Sequence, residues 1–266
     1  MSIELTFDEK RRIQEALDRY KEAHPDHKVV FATVSGSHLF GTKTDDADVD
    51  LRGCYILPTE KLLGLEKCNE TTEFVHSDVE FQFHEVGKFL RLLLGSNMNF
   101  VEYLKSDLKV LWSKEADELL KIAEQTISKE MFNHIQGMSI HTWKHAEKEH
   151  FLLTKRDLYL YREILRGLVL FQDGVWLADV EQLALHYDDV ETKKWVGYLL
   201  DKKRNGLTAE PRHVKLIKEN IQALQNKMLT QKEFSSLAFE KKLDLRKING
   251  WLLNIRKENF KSEKVN

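Results

Sequence analysis

The chain has 266 residues, enough for one large domain or two small ones, and is 42% hydrophobic, 32% charged and 10% aromatic. No apolar run approaches the roughly 20 residues a bilayer span needs. Residues 1–5 lack the basic-then-apolar order of a secretory signal, and Cys54 and Cys68 are too few for a disulfide framework or a zinc ligand set. These features argue against membrane and secreted classes, and a reducing cytoplasm is the expected setting. The net charge of -2 hides an asymmetry: residues 191–266 hold 18 Lys and Arg against 9 Asp and Glu, and the rest of the chain is acidic. An acidic body with a basic tail suits an anionic polymer such as RNA, although Lys-rich helices are also simply well solvated.

Residues 7–23 read as an amphipathic helix, with Thr6 and Glu9 as a capping box and Ile13, Leu17 and Tyr20 as the apolar stripe. Pro25 and Asp26 stop it, and the β-branched run 28–34 reads as a strand. Gly36-Ser37 opens a turn and a short helix, and residues 42–47 form a polar loop. Residues 49–57 alternate as a second strand that Pro58 closes, and 71–75 and 79–83 are strands about a Ser-Asp turn. From His84 the period becomes helical, with Val86, Phe89, Leu90, Leu93 and Leu94 on one face and Gly95 at its end. A short helix over 97–104 and a strand over 110–112 follow. Helices are then expected at 114–126, 128–152, 155–173, 179–187, 189–203, 210–228 and 231–258. The expected class is α+β: a small mixed-sheet domain over 1–112, then a helical domain over 113–266 with a basic tail. Trp143, Phe151, Trp176, Trp195 and Trp251 read as core anchors.

Asp48 and Asp50 stand two apart in a strand and so share a face. Beside a Gly-Ser turn with free N–H groups, two such carboxylates suit a divalent metal and phosphate. That chemistry is phosphoryl or nucleotidyl transfer, in which two metal ions activate the attacking hydroxyl and hold the leaving group. A third carboxylate is needed; the next strand offers Asp78 and Glu80, and Glu80 is preferred because Asp78 sits where Asp is a common turn residue. Gly36 lets backbone approach phosphate, and Ser37 donates to it. Arg52 lies on the Asp48/Asp50 side, where it either binds triphosphate or pairs with the aspartates. His141 and His145 have the i, i+4 spacing of metal ligands without a His-Glu-x-x-His motif, and with His134 read as a solvated or half-buried stripe.

The order Gly36, Ser37, Gly41, Asp48, Asp50 resembles the signature of the DNA polymerase β superfamily of nucleotidyltransferases. Arg52-Gly53 and the run from His84 to Leu94, with Asn97, Asn99 and Glu102, resemble its branch that includes the polymerase-β-like proteins of RNA-repair gene clusters. In the helical part Lys155, Tyr159, Arg162 and Gly167 match that branch's Lys/His/Arg spacing, with Tyr159 where His is usual; Ala47 replaces a common Ser. The resemblance covers residues 29–175. It implies a mixed sheet flanked by helices and transfer of a nucleoside monophosphate from a nucleoside triphosphate such as ATP, with Mg²⁺ or Mn²⁺ held by Asp48, Asp50 and Glu80. Gly36, Ser37, Arg52, Lys155 and Arg162 would bind the nucleotide. An RNA 3′ end is the first acceptor to consider, a protein hydroxyl the second and a small molecule the third. The competing class is a nucleotide- or RNA-binding module without chemistry.

Overall fold

Thr6 opens the first helix as expected: its Oγ1 accepts from the Glu9 N–H at 3.2 Å, and Glu9 Oε2 accepts from the Thr6 N–H at 2.8 Å. The structure, a computed structural model, describes residues 4–65, 67–151 and 154–260. Residues 1–3 of the N-terminal reading, the end of the expected 128–152 helix and residues 261–266 of the tail lie outside the described residues.

In chain order the first elements are α1 (Phe7–Ala23), β1 (Lys28–Val34), α2 (Gly36–Leu39), β2 (Val49–Ile56), α3 (Thr59–Leu63), β3 (Thr71–His76) and β4 (Val79–Glu85). Next come α4 (Val86–Leu94), α5 (Met98–Lys105), β5 (Lys109–Trp112) and α6 (Lys114–Thr126). The remainder is helical: α7 (Met131–Lys148), α8 (Thr154–Asp173), α9 (Val180–Tyr187), α10 (Val190–Arg204), α11 (Pro211–Phe234) and α12 (Leu245–Glu258). The class is α+β, as the alternation and the later helical period imply. The five strands run in the order β3-β4-β2-β1-β5. Only the β2–β4 pair is parallel, so the sheet is mixed.

The chain forms two compact units that interleave in sequence. The first takes the described residues of Met1–Gly36, Asp48–Thr126 and Lys242–Asn266; the second takes Ser37–Ala47 and Ile127–Lys241. The sequence reading had instead one cut after residue 112. Two facts account for the difference: α6 and α12 pack with the sheet, and the polar loop after Gly36 packs with the helices.

In the sheet unit α1 buries Ile13, Leu17 and Tyr20, and Tyr20 stacks on Phe81 of β4 with ring centroids 5.3 Å apart. Each such large apolar group contributes about 1.5–3 kcal/mol when fully buried. Phe31 of β1 meets Phe89 of α4 edge-on at 5.3 Å, and Phe89 meets Phe100 of α5 at 5.0 Å. The last helix is fastened to this unit. Arg256 grips the fully buried Glu85 carboxylate through both terminal nitrogens, at 2.5 and 2.8 Å. Thr59 donates its N–H to Asn259 O and its hydroxyl to Arg256 O. The basic tail is thus no single extension, and Arg256 neutralises an interior acid.

In the helical unit α8 is buried along most of its length and packs against α7, α9, α10 and α11. Of the helix expected over 231–258, residues 231–234 instead complete α11, residues 235–244 are not helical, and the Asp244 side chain caps α12 by accepting from the N–H groups of Arg246 and Lys247. α3, after Pro58, was not foreseen. Phe151 and Trp195 are buried, whereas Trp143, Trp176 and Trp251 are half-buried.

Candidate active site

The first half of β2 is where one sheet face stays open. Val49 and Leu51 are fully buried, while Asp48 is exposed and Asp50 and Arg52 are half-buried. The parallel register sets Asp50 opposite Glu80 and Arg52 opposite Gln82. Partners in a parallel pair share a face, so Asp50 and Glu80 project from one side of two adjacent strands, and Asp48 lies one residue before β2. On the β1 side, the Ser35 N–H donates to Asp50 O at 2.8 Å. Gly36 follows with φ +61°, and a Cβ there would stand 1.8 Å from Asp50 Oδ2. Glycine is required twice over, for its backbone angle and for the space beside the carboxylate.

Asp78 forms an ion pair with Arg12 of α1, while Glu80 is exposed on the strand. Arg52 Nη2 donates to Asp50 Oδ1 at 2.8 Å and Nη1 donates to Leu51 O at 3.2 Å, so the arginine pairs with the aspartate here. Further along β4, burial together with the positive charges of Lys88 and Arg52 lowers His84 to about 4, which keeps it neutral.

The donor set is all carboxylate oxygen, the hard type that suits Mg²⁺. Among the described residues no three acidic, histidine or cysteine groups are gathered as a finished metal cage, and Asp50 is turned to Arg52. The residues fit a divalent ion by chemistry and by the room that Gly36 leaves.

The remaining site residues of the sequence reading lie in the helical unit. Ser37 heads a loop in which the Thr42 N–H donates to Ser37 O, and the Val180 N–H donates to Phe40 O. Gly41, at φ +70°, has no room for a Cβ, which would fall 2.2 Å from Asp179 Oδ2. The Arg162 guanidinium lies 3.4 Å above the Phe40 ring, its Nε donates to Ala178 O at 2.8 Å, and Tyr159 meets Phe40 edge-on at 5.6 Å. Lys203 donates to Thr42 O, and burial and the charge of Lys155 hold its pKa down. The glycine-rich signature loop is therefore anchored by Tyr159, Arg162, Asp179 and Lys203. The last two were missed, because nothing local in the sequence marks a long-range partner of a loop. Lys155 is exposed on the first turn of α8, its ammonium 5.9 Å from the Tyr159 ring centroid.

The profile of the RNA repair pathway DNA polymerase beta family (RlaP) matches residues 10–254. The chain belongs to that family. Its membership places it among the polymerase-β-like nucleotidyltransferases and extends the likeness well past the region legible from motifs. The uncharacterized protein MJ0002 of Methanocaldococcus jannaschii is 33% identical over 197 residues, covering 71% of this chain and 78% of that protein. The uncharacterized protein YcgL of Bacillus subtilis is 27% identical over 261 residues, covering 95% of this chain and 98% of that protein. Among solved structures, spectinomycin adenyltransferase AAD(9) from Enterococcus faecialis aligns with 85% of this chain and all of its own at 10% identity and a TM-score of 0.49. At that level the likeness carries no argument about chemistry. No helix of the described residues is long and apolar enough to cross a membrane.

Proposed function

We propose that this family member is a magnesium-dependent nucleotidyltransferase that moves a nucleoside monophosphate from a nucleoside triphosphate to a hydroxyl of RNA, with the 3′ end as acceptor. The observation that carries the reading is the register of Asp50 opposite Glu80, with Asp48 one residue before β2 and Gly36 leaving space beside Asp50. RNA as acceptor is supported by the repair pathway in the family's description.

Asp48, Asp50 and Glu80 would hold Mg²⁺, which when bound offsets the charge that builds on the phosphates and acidifies the acceptor hydroxyl. Glu80, exposed at the edge of the cluster, takes the acceptor's proton as its oxygen attacks the α-phosphorus. The α–β phosphoanhydride bond breaks and pyrophosphate leaves. Arg52 holds Asp50 before nucleotide binds and then donates to phosphate oxygens, a geometry for which its fork is suited. Gly36 keeps its N–H unobstructed beside the carboxylate. Ser37 remains a nucleotide ligand on the strength of the sequence resemblance. Arg162, engaged with Phe40 and Ala178, serves the nucleotide by fixing the signature loop.

The test is pyrophosphate release from each of the four ribonucleoside triphosphates with Mg²⁺ or Mn²⁺, with and without a mixed RNA pool. Wild type releases it in the presence of RNA, and Asp50→Asn and Asp48→Asn fall by about a hundredfold or more, the usual effect of losing a group that stabilises transition-state charge. Undiminished release by Asp50→Asn would sink the assignment. Release that needs a protein in place of RNA would move the acceptor to a protein hydroxyl.

A further inference from the structure

The helical unit contains a cavity of about 400 Å³ lined by His141, Thr142, His145, Lys155, Arg156 and Tyr159. Its volume lies in the range of small-ligand pockets. On α7, one turn apart, His141 and His145 bring their Nε2 atoms to 3.2 Å. One imidazole donates there and the other accepts. Desolvation, then the proximity of His141 and the positive charges of Arg156 and Lys148, hold the His145 pKa down. Across the cavity, Arg156 is paired with Glu149 at 2.6 Å, whereas Lys155 makes no ion pair among the described residues. The lining therefore offers Lys155 as a cation without an ion pair among the described residues, two imidazoles and an aromatic face from Tyr159, while the Thr142 hydroxyl donates to Glu163 Oε1 at 3.3 Å.

We infer that this cavity binds the phosphorylated end of an RNA strand. An entering phosphate oxygen replaces the His–His hydrogen bond with two N–H donors and takes a charge-assisted bond from Lys155. Tyr159 supplies a surface on which the terminal base stacks, as single strands are commonly held. The choice of RNA over another phosphate carrier rests on the function proposed above; the anion site itself rests on the cavity. A divalent transition metal is the rival occupant, because 3.2 Å also fits two nitrogens on one ion. However, the cations Lys155 and Arg156 repel it, and the described residues supply no third ligand.

The experiment titrates the full chain, in chelator, into one fluorescently labelled RNA sequence bearing a 5′-phosphate, a 3′-phosphate or hydroxyl ends. Wild type is expected to bind one phosphorylated form about tenfold tighter than the hydroxyl form, the worth of a charged hydrogen bond or two. That preference disappears in His141→Ala/His145→Ala and in Lys155→Ala, both checked for unchanged circular dichroism. Asp50→Asn, whose substitution lies in the sheet unit, retains the preference while losing transfer, so failure of the nucleotidyl-transfer reading and failure of this one are told apart. Equal binding of the three RNAs overturns the inference, as does a preference that survives the His and Lys replacements. So do a preference that appears only with added Zn²⁺, and variants that lose affinity for ATP alone.

Discussion

Asp157 is the least comfortable group in the helical unit, and its replacement tests the energetics of α8 directly. Its side chain is fully buried, and neither carboxyl oxygen has a hydrogen-bond partner among the described residues. Burial, with a smaller push from the charge of Glu149, raises its pKa from 3.8 to about 7. The folded state thus holds the proton more tightly than the unfolded chain. Its contribution is least unfavourable below pH 4, and stability falls as the pH rises from about 4 to about 7 and then levels off. At about 1.4 kcal/mol per pH unit, the whole effect is about 4 kcal/mol. Asp157→Asn keeps the shape and removes the titration. In urea unfolding, the stability of the variant relative to wild type should therefore grow by about 2 kcal/mol between pH 5.5 and 7.5, and hardly at all from 7.5 to 8.5. Groups common to both proteins cancel in this difference. A gap that stays constant over the whole range would refute the reasoning, whichever protein is the more stable.

Other perturbations have equally definite outcomes. Glu80→Gln should abolish nucleotidyl transfer, while Asp78→Asn, which breaks only the ion pair to Arg12, should leave activity and lower stability by about 1 kcal/mol at most; the reverse pattern in paired activity assays would move the third carboxylate to Asp78. Arg256→Leu strands the buried Glu85 and should cost about 3–5 kcal/mol, part of which Glu85→Gln on the same background recovers; equal urea midpoints for the single and double variants would show that the charge is not what hurts. Burial lowers His27, His84 and His134 each to about 4, below their ordinary 6.5. Their stabilising neutral form is complete above pH 6.5 and is lost as pH falls toward 4, so His134→Gln should narrow the fall in melting temperature between pH 6.5 and 4.5. An identical fall in both proteins would exclude His134 from it.

The placement of Asp50 between buried Val49 and Leu51 was legible because strand alternation is a local property that survives in any tertiary setting. The Thr6–Glu9 cap was legible for the same reason. What the alternation could not supply is the neighbour: that β4 lies parallel beside β2, with Asp50 opposite Glu80, depends on a pairing across 30 residues of chain. Arg12 and Lys203 escaped notice as partners of Asp78 and Thr42 because they come from distant helices with ordinary surface composition. The break before α12 went unread: Asp244 caps that helix, and the sequence expectation runs a single helix straight through it. The His141/His145 spacing was seen, but the cavity it faces arises from the packing of α7 against α8, which no periodicity reports.

The order in which the ribosome releases this chain has a bearing on the sheet unit. Glu85 emerges early, and Arg256, which neutralises it, lies 171 residues later. The intervening stretch includes residues 127–241 of the other unit. At a synthesis rate of ~5–20 residues per second, the nascent sheet waits on the order of 10 s with an interior acid unpaired and the seat of α12 bare. A message cut short before Arg256 yields a complete carboxylate face on a unit that lacks its fastening helix. Chains released before Arg256 is made would thus differ in protease sensitivity from chains that carry α12, because Glu85 then lies in the sheet unit without its partner.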